Sequence, residues 1–253
     1  QTTRNKILGI LTEKDYQIVF SDTPGILQSN YKLHERMMQE IEQVKQGTDV
    51  TLFIMDIMDD IAENMALVKQ FSSKVPILFL INKVDKNKKE RVTAIEEECK
   101  KIEGIRKVIP VSALNQVNLD SLLNEIVNCL PIMPAYYDAD TLTDKPMRFF
   151  VAEFIREKLF FLLNEELPYH AAVLVRQYEE KNTLTKIVAD IVVSRETQKA
   201  IIIGKNGSMI KEIGQKSRED IEKFINRKVF LELHVKVRKD WRNNDLYLKE
   251  YGY

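Results

Sequence analysis

The sequence predicts an α/β chain of two domains, with a doubly wound parallel sheet in the first half and a smaller α+β domain in the second. Three observations predict this arrangement. Short apolar runs alternate with amphipathic segments over the first half, as the strands and helices of a parallel sheet do. A break rich in proline and turn-forming residues follows at 131–146. Beyond the break, alternating strand-like runs are accompanied by segments with helical spacing.

The first half is expected to begin with a hairpin, because the β-rich runs Lys6–Thr12 and Tyr16–Ser21 flank a polar turn at 13–15. Three short and almost wholly apolar runs are predicted to be parallel strands buried on both faces, at 49–56 (DVTLFIMD), 76–81 (PILFLI) and 107–111 (KVIPV). Helices are expected between and after the strands, at Lys32–Gln46, Ile61–Ser72, Lys88–Ile102 and Leu119–Leu130.

The prolines near the middle of the chain predict a linker at 135–146, between a first domain at 1–134 and a second at 147–253. The second domain is expected to contain helices at Met147–Leu163 and Ser208–Ile225. Strands are predicted within it at Ala171–Tyr178, Thr185–Val193, Lys199–Ile203 and Val229–Val237.

Composition excludes some classes of protein and leaves others open. The chain has 38 basic and 38 acidic residues, so its total charge points to no particular partner. Cys99 and Cys129 lie far apart without the spacing of a metal site, which suits buried thiols in a reduced, cytosolic setting. No apolar run approaches the roughly 20 residues that a spanning helix needs.

A first polar motif, Asp22-Thr-Pro-Gly25, follows the second strand of the predicted hairpin. Asp22 suits a water-mediated contact with Mg²⁺, and the backbone N–H of Gly25 can approach a γ-phosphate. Taken alone, the motif favours a plain turn, since Pro-Gly is a strong turn signal.

Two further motifs follow buried strands, at the edge where open α/β sheets bind ligands. In Asn82-Lys83-Val84-Asp85, the Asp85 carboxylate can accept hydrogen bonds from guanine N1–H and the exocyclic amine, a donor pair that adenine lacks. The stem of Lys83 can lie along the base, while Asn82 braces neighbouring loops. A backbone N–H at Ser112-Ala113 can meet guanine O6. Each motif alone also occurs by chance.

The order of these motifs is more specific than any one of them. Thr3 precedes the hairpin, and DTPG, a helix, NKVD and Ser-Ala follow in the layout of a translation-factor-like GTPase. The stretches QTTR, DTPG, NKVD and SAL resemble the Era family of bacterial GTPases. That resemblance implies GTP or GDP with Mg²⁺ as ligands, with the hydroxyl of Thr3 and the carboxylate of Asp22 serving the metal.

The chain departs from this pattern in two places. Ile26 follows DTPG where several relatives carry a catalytic Gln, so no catalytic residue is assigned. No G-x-x-x-x-G-K-[ST] occurs in the 253 residues, and we expect the phosphate-binding loop and the strand before it to lie upstream of Gln1. The alternative is that this chain is an RNA-binding module with no competent nucleotide site.

The second half carries a G-x-x-G loop, Gly204-Lys205-Asn206-Gly207, followed by Ser208 and isoleucines at helical spacing. Glycines let a backbone approach a nucleic-acid backbone closely. Ser208 can begin a helix whose N-terminus favours phosphate, and Lys205, Asn206 and Lys211 can add polar contacts. The pattern resembles the KH family of RNA-binding domains, although glycine can also serve the geometry of a plain helix-entry loop.

Local charge agrees with RNA binding, because twelve basic and six acidic residues lie between positions 199 and 242. Trp241 in this region is interpreted as a packing residue. The resemblance to the Era family covers essentially the whole chain. The expected fold is therefore a P-loop-GTPase-like doubly wound sheet, lacking its first strand and phosphate loop, followed by an α+β type II KH domain.

The resemblance also implies partners. Members of the Era family bind 16S ribosomal RNA near its 3′ end and act in assembly of the small ribosomal subunit. GTP binding favours the arrangement of their two domains that is competent for RNA, and an association with the inner membrane surface is attributed to them. We expect a cytoplasmic monomer with no DNA partner.

Overall fold

The computed structural model describes residues 6–23, 31–36, 39, 47–71, 75–163 and 167–252. Contacts between Cα atoms divide the chain into two compact units, one within 1–10, 19–42 and 142–253 and the other within 11–18 and 43–141. Over the described ranges, no helix has the length and apolar character needed to cross a membrane. Both cysteines are free thiols, with Cys99 buried and Cys129 half-buried.

The predicted hairpin is confirmed. Strands β1 (Ile7–Thr12) and β2 (Gln17–Asp22) form a two-stranded sheet. The turn between them is closed by a hydrogen bond of 2.9 Å from the amide of Glu13 to the carbonyl of Tyr16. The polar turn residues that predicted the hairpin therefore lie at its tip.

The parallel sheet is also confirmed. Its strands are β3 (Thr51–Asp56), β4 (Ile77–Asn82) and β5 (Ile105–Pro110), in the order β3-β4-β5, and both pairings are parallel. The helices associated with them are α1 (Ile61–Phe71), α2 (Lys89–Cys99) and α3 (Leu119–Val127), each close to its predicted range. Of the predicted helix Lys32–Gln46, residues 32–36 are helical and most of the remainder lies outside the described residues.

The prediction that all three parallel strands are buried on both faces holds only for β4. Its residues Ile77–Ile81 are all buried, because it lies between the other two strands. Strands β3 and β5 are the edges of the described sheet and carry exposed positions. Ile54 on β3 is 60% exposed. The apolar run in the sequence therefore predicted more burial than this edge strand has.

The second half is an α+β unit with one three-stranded sheet. Helix α4 (Met147–Leu162) is followed by β6 (Ala172–Glu180), β7 (Thr185–Val193), α5 (Glu196–Ile203), α6 (Ser208–Ile225), β8 (Val229–Val237) and α7 (Asp245–Glu250). The strand order is β6-β7-β8, with β6 antiparallel and β8 parallel to β7. A single core cluster joins α4, α5 and α6 to one face of this sheet.

One element of the second half was predicted wrongly. Lys199–Ile203 was expected to be a strand, but it forms the end of α5. The amides of Ser194 and Arg195 both donate to the side-chain oxygen of Gln198 at 3.0 Å, which satisfies backbone groups at the start of this helix. The β-branched isoleucines suggested a strand, whereas burial of Ile202 in the core stabilises the helix.

Residues 135–146, which were predicted as a linker, contain no helix or strand. Its first part is held by Gln17, whose side-chain oxygen accepts from the amides of Tyr136 and Tyr137 at 2.9 and 3.0 Å. Its last part is hydrogen-bonded to β1, because the amide of Ile10 donates to the carbonyl of Leu142 at 2.9 Å. Both parts of this predicted linker are thus hydrogen-bonded to strands of the hairpin.

A second apolar cluster covers part of the other face of the second sheet. Fully buried Trp241 packs there with Leu33, Val192 and Leu248, and its ring N–H donates to the carbonyl of His170 at 3.3 Å. The interpretation of Trp241 as a packing residue is confirmed. The helical residues 32–36, which include Leu33, therefore belong to the same core as the C-terminal residues.

Candidate functional site

The loop after β4 is shaped by the side chain of Asn82. Its Oδ1 atom accepts hydrogen bonds from the amide of Lys83 at 2.8 Å and from the amide of Ala113 at 3.1 Å. Lys83 has a φ of 66°, in the left-handed region that side chains rarely adopt, and the bond from its own amide helps to hold it there. Asn82 thereby ties the loop after β4 to the loop after β5, as the sequence predicted for a bracing residue.

Asp85 and Ser112 meet at this edge of the sheet. The hydroxyl of Ser112 donates to Oδ1 of Asp85 at 2.5 Å, and Ser112 itself is fully buried. Asp85 is exposed, in a short 3₁₀ turn at Val84–Lys86. The structure therefore presents a surface carboxylate whose orientation is set by a buried hydroxyl, next to the backbone of Ala113.

The same edge holds a contact that the sequence analysis missed. The ammonium group of Lys83 lies 2.6 Å from the carboxylate of Asp56, the last residue of β3. The hydrogen bond from Lys83 lowers the pKa of Asp56, and the same bond raises the pKa of Lys83. Parallel pairing places Asp56 beside Asn82, so the terminal Asp of DVTLFIMD was an available signal.

The residues predicted to serve a metal are only partly described. Asp22 is exposed at the end of β2, while Thr3 and Gly25 lie outside the described residues. Over the described ranges, no group of three or more His, Cys, Asp or Glu could hold a metal ion. A single carboxylate such as Asp22 fits a Mg²⁺ ion bound mainly by phosphate oxygens and water, rather than by a cage of protein ligands.

The G-x-x-G loop connects α5 to α6 and depends on its first glycine. Gly204 has a φ of +71°, and a Cβ atom there would lie 2.7 Å from Cβ and 2.9 Å from N of Met209. Asn206 and Gly207 are also left-handed, with φ values of 53° and 76°. The backbone therefore turns tightly at a point where a side chain on residue 204 would collide with the next helix.

The loop presents polar groups to solvent. Lys205, Asn206, Ser208 and Lys211 are all exposed. Among the described acidic residues, none forms an ion pair with Lys205 or Lys211. Several other cations of the region 199–242 do have acidic partners, namely Lys216, Lys223, Lys228 and Lys236. The basic surplus read from the sequence is therefore partly neutralised, but not at the loop.

Comparison with protein families gives two matches along the chain. The family described as "50S ribosome-binding GTPase" matches residues 1–83, which include β1 to β4 and the start of the loop after β4. The family described as "KH domain" matches residues 166–242, which include the G-x-x-G loop. The two matches fall on the two regions where the motifs occur.

Similar proteins were found over the whole chain. GTPase Era of Clostridium kluyveri is 40% identical over 256 residues, covering 100% of this chain and 87% of the relative. GTPase Era of Staphylococcus haemolyticus is 37% identical with 86% of its length covered. A crystal structure of Era in complex with MgGDPNP and nucleotides 1506–1542 of 16S ribosomal RNA matches all of this chain with a TM-score of 0.95 and 35% identity. The chain belongs to the Era family of GTPases, which carry a GTPase domain followed by a KH domain.

Proposed function

We propose that this protein is a GTP-binding and GTP-hydrolysing switch that binds 16S ribosomal RNA and acts in assembly of the small ribosomal subunit. The solved relative that contains both MgGDPNP and a 16S RNA fragment supports this pair of ligands. In this proposal the GTPase domain spans 1–134, the linker 135–146 and the KH domain 147–253. The bound nucleotide controls whether the protein is competent to bind RNA.

Guanine is read by the edge of the parallel sheet. Asp85 accepts from N1–H and the exocyclic amine, and the stem of Lys83 lies along the base. The observation that carries this assignment is the hydrogen bond from buried Ser112, because it holds the Asp85 carboxylate in one orientation before the ligand arrives. The amide of Ala113 is already bonded to Asn82 at 3.1 Å, so guanine O6 would share that donor.

The phosphate end of the nucleotide is served by the motifs near the N-terminus. Thr3 and Asp22 would hold Mg²⁺, and Gly25 would approach the γ-phosphate through its backbone. Bound Mg²⁺ would supply positive charge that offsets the negative charge developing on the phosphates during hydrolysis. The exposed position of Asp22 at the end of β2 supports an outer contact with the metal through water.

RNA binds at the loop between α5 and α6. Gly204 and Gly207 let the RNA backbone approach, Lys205 and Lys211 supply positive charge, and Asn206 and Ser208 supply hydrogen bonds. Exposure of these four polar side chains supports the assignment. We propose further that the protein works as a cytoplasmic monomer without a DNA partner. A contact with the inner membrane surface rests on the family resemblance alone.

The test uses a form of the protein that carries a G-x-x-x-x-G-K-[ST] segment ahead of this chain, here called the GTP-binding form. Displacement of a fluorescent GDP should be at least about tenfold more efficient with GTP than with ATP, since adenine cannot satisfy Asp85. An RNA matching 16S nucleotides 1506–1542 should bind more tightly than a shuffled RNA of equal composition. Equal affinities in either comparison would contradict the corresponding half of the proposal.

A second candidate function is favoured by one observation, the absence of G-x-x-x-x-G-K-[ST] from the 253 residues. In this second candidate, the 253-residue chain by itself is an RNA-binding module without a competent nucleotide site. Calorimetry on the 253-residue chain decides between them. Binding of GTP at micromolar concentration would remove this second candidate, while RNA binding without GTP binding would support it.

A further inference from the structure

Lys83 belongs to the proposed guanine site, yet its charged end is paired outside the NKVD motif. Its ammonium group is 2.6 Å from Asp56, which ends the neighbouring strand β3. A second ammonium group, that of Lys86, lies 3.5 Å from the same carboxylate. The Asp56 side chain is 21% exposed and that of Lys83 is 53% exposed, so the pair lies at the surface with Asp56 as its more buried partner.

Asp56 is itself held in place. Its Oδ1 atom accepts from the amide of Met58 at 2.9 Å, and its own amide donates to Asp59 at 3.1 Å. From α2, Arg91 donates to the carbonyls of Ile57 and Asp59, both at 2.7 Å. The Asp56 carboxylate is therefore held at the end of β3 by the amide of Met58, next to a loop that Arg91 braces.

The alternative partner for Lys83 is Asp85, two residues along the chain. A lysine ammonium on its four-carbon stem is a compact charge that pairs readily with any nearby carboxylate. If Lys83 paired with Asp85, the acceptor that reads guanine N1–H and the exocyclic amine would be occupied. Of these two carboxylates, Lys83 pairs with that of Asp56. The Asp85 carboxylate instead accepts a hydrogen bond from the neutral hydroxyl of Ser112.

We propose that Asp56 is a positioning residue for guanine recognition, which holds the Lys83 ammonium group and so leaves Asp85 available to the base. Asp56 would not contact the nucleotide, because it acts through Lys83. The inference rests on the proposed function, because it concerns the site at which guanine would bind. It adds to the family motif a residue from β3, which the NKxD pattern does not contain.

The test compares Asp56→Asn with wild type in the GTP-binding form. Removing the carboxylate frees Lys83 to pair with Asp85, so the Kd for GDP should rise about fivefold, as expected for a partly exposed charge pair. The hydrolysis rate at saturating GTP should not change, because the base site takes no part in phosphoryl transfer. The matched control is Glu63→Gln, which removes an exposed carboxylate from α1 and should leave the Kd unchanged.

Two further variants show whether Asp56 acts through Lys83. In a Lys83→Met background, Asp56→Asn should change the Kd by less than about twofold, because the competing cation is gone. Lys86→Met alone should leave the Kd near wild type. The proposal is overturned if Asp56→Asn has no effect, if it costs as much in the Lys83→Met background, or if Lys86→Met reproduces its loss.

The same assay separates this inference from the proposed function. If wild type prefers GTP over ATP and Asp56→Asn retains full affinity, only the role of Asp56 is wrong. If wild type shows no preference for guanine, the proposed base site is wrong and the role of Asp56 is overturned with it.

Discussion

The ammonium group of Lys32 lies 2.7 Å from the carboxylate of Asp245. Arg36 reaches the same carboxylate at 3.0 Å, and both hydrogen bonds lower the pKa of Asp245, the bond from Lys32 more strongly. The guanidinium carbon of Arg242 lies over the ring of Tyr31, 4.0 Å from the ring centroid. The segment 31–36, which follows DTPG by a few residues, is thus attached to the C-terminal residues of the KH half by charge, by stacking and by buried Leu33.

This attachment predicts that Asp245 helps to couple nucleotide and RNA binding. In the GTP-binding form, Asp245→Asn removes the shared acceptor of two cations from the segment after DTPG. The ratio of RNA affinities with a GTP analogue and with GDP should fall about twofold to fivefold, as expected for exposed ion pairs. Glu179→Gln, an exposed change on β6, is the control. An unchanged ratio in Asp245→Asn would show that this contact does not carry the coupling.

The base-reading role of Asp85 predicts a change in nucleotide preference. Asp85→Asn keeps the acceptor for the Ser112 hydroxyl but presents an amide donor where guanine has its own amine. GTP affinity should fall by about 1.5–3 kcal/mol, roughly tenfold to a hundredfold, while xanthosine triphosphate, with an acceptor at that position, should bind better. The measurement is competition against a fluorescent GDP. A preference for GTP that matches wild type would exclude Asp85 from the base site.

The two glycines of the G-x-x-G loop predict unequal costs of substitution. In Gly204→Ala, the alanine would be strained by the φ of +71° and its Cβ atom would also collide with Met209. In Gly207→Ala, the φ of +76° is the one source of strain, because nothing lies within 4 Å of the Cβ position. Gly207→Ala should cost about 1–2 kcal/mol, and Gly204→Ala clearly more. Denaturation followed by fluorescence of Trp241, the single tryptophan, reports on this half of the chain. Equal losses of stability in the two variants would show that the fold can accommodate a Cβ atom at position 204.

Buried Asp190 predicts how the stability of the second half depends on pH. Burial alone would raise the pKa of this carboxyl, but hydrogen bonds from Lys236 and Arg176, both at 2.8 Å, outweigh it and lower the pKa. A lowered pKa stabilises the fold at pH values above the unfolded pKa of about 3.9, and this stability is lost as the pH falls below it.

The matching variant is Asp190→Asn, measured by the same fluorescence at several pH values. It should lower the free energy of unfolding at pH 7 by about 1–3 kcal/mol, because two cations lose their acceptor. Its stability should also depend less on pH between roughly 5 and 2 than that of wild type. Parallel pH profiles for the two proteins would assign the acid sensitivity to other carboxylates.

Elements with a clear period were predicted closely. Strands β7 and β8 and helix α6 have the bounds expected from sequence, because alternation over nine residues and helical spacing over eighteen are hard to mistake. The run KAIII at the end of α5 was mistaken for a strand, since three consecutive isoleucines satisfy the β pattern as well as a buried helix. Its conformation depends on packing against the core, which local sequence does not reveal.

The motif residues of the candidate site were identified from sequence, but their partners were not. The motif NKVD singled out Asn82, Lys83 and Asp85 because it follows a recognisable buried strand. The pair of Lys83 with Asp56 depends on the parallel register of β3 with β4, and that of Lys32 with Asp245 joins segments 213 residues apart. Contacts of this kind arise from the assembled fold, so no short-range pattern in the sequence predicts them.

The central claim is that the exposed G-x-x-G loop binds RNA, and one pair of variants of the 253-residue chain tests it most directly. Replacing Lys205 and Asn206 by Asp removes a cation and adds two anions where phosphates would approach. The control replaces Lys181 and Asn182 by Asp, the same change of charge in the exposed turn between β6 and β7. Both variants should retain the melting temperature of wild type, with a stability cost within roughly 0.5 kcal/mol.

The measurement is the Kd for an RNA matching nucleotides 1506–1542 of 16S ribosomal RNA, at one fixed salt concentration. The loop variant is expected to lose at least about tenfold in affinity through like-charge repulsion, while the control variant loses much less. Equal affinities of the loop variant and wild type, or equal losses in the two variants, would contradict it and place the RNA site elsewhere.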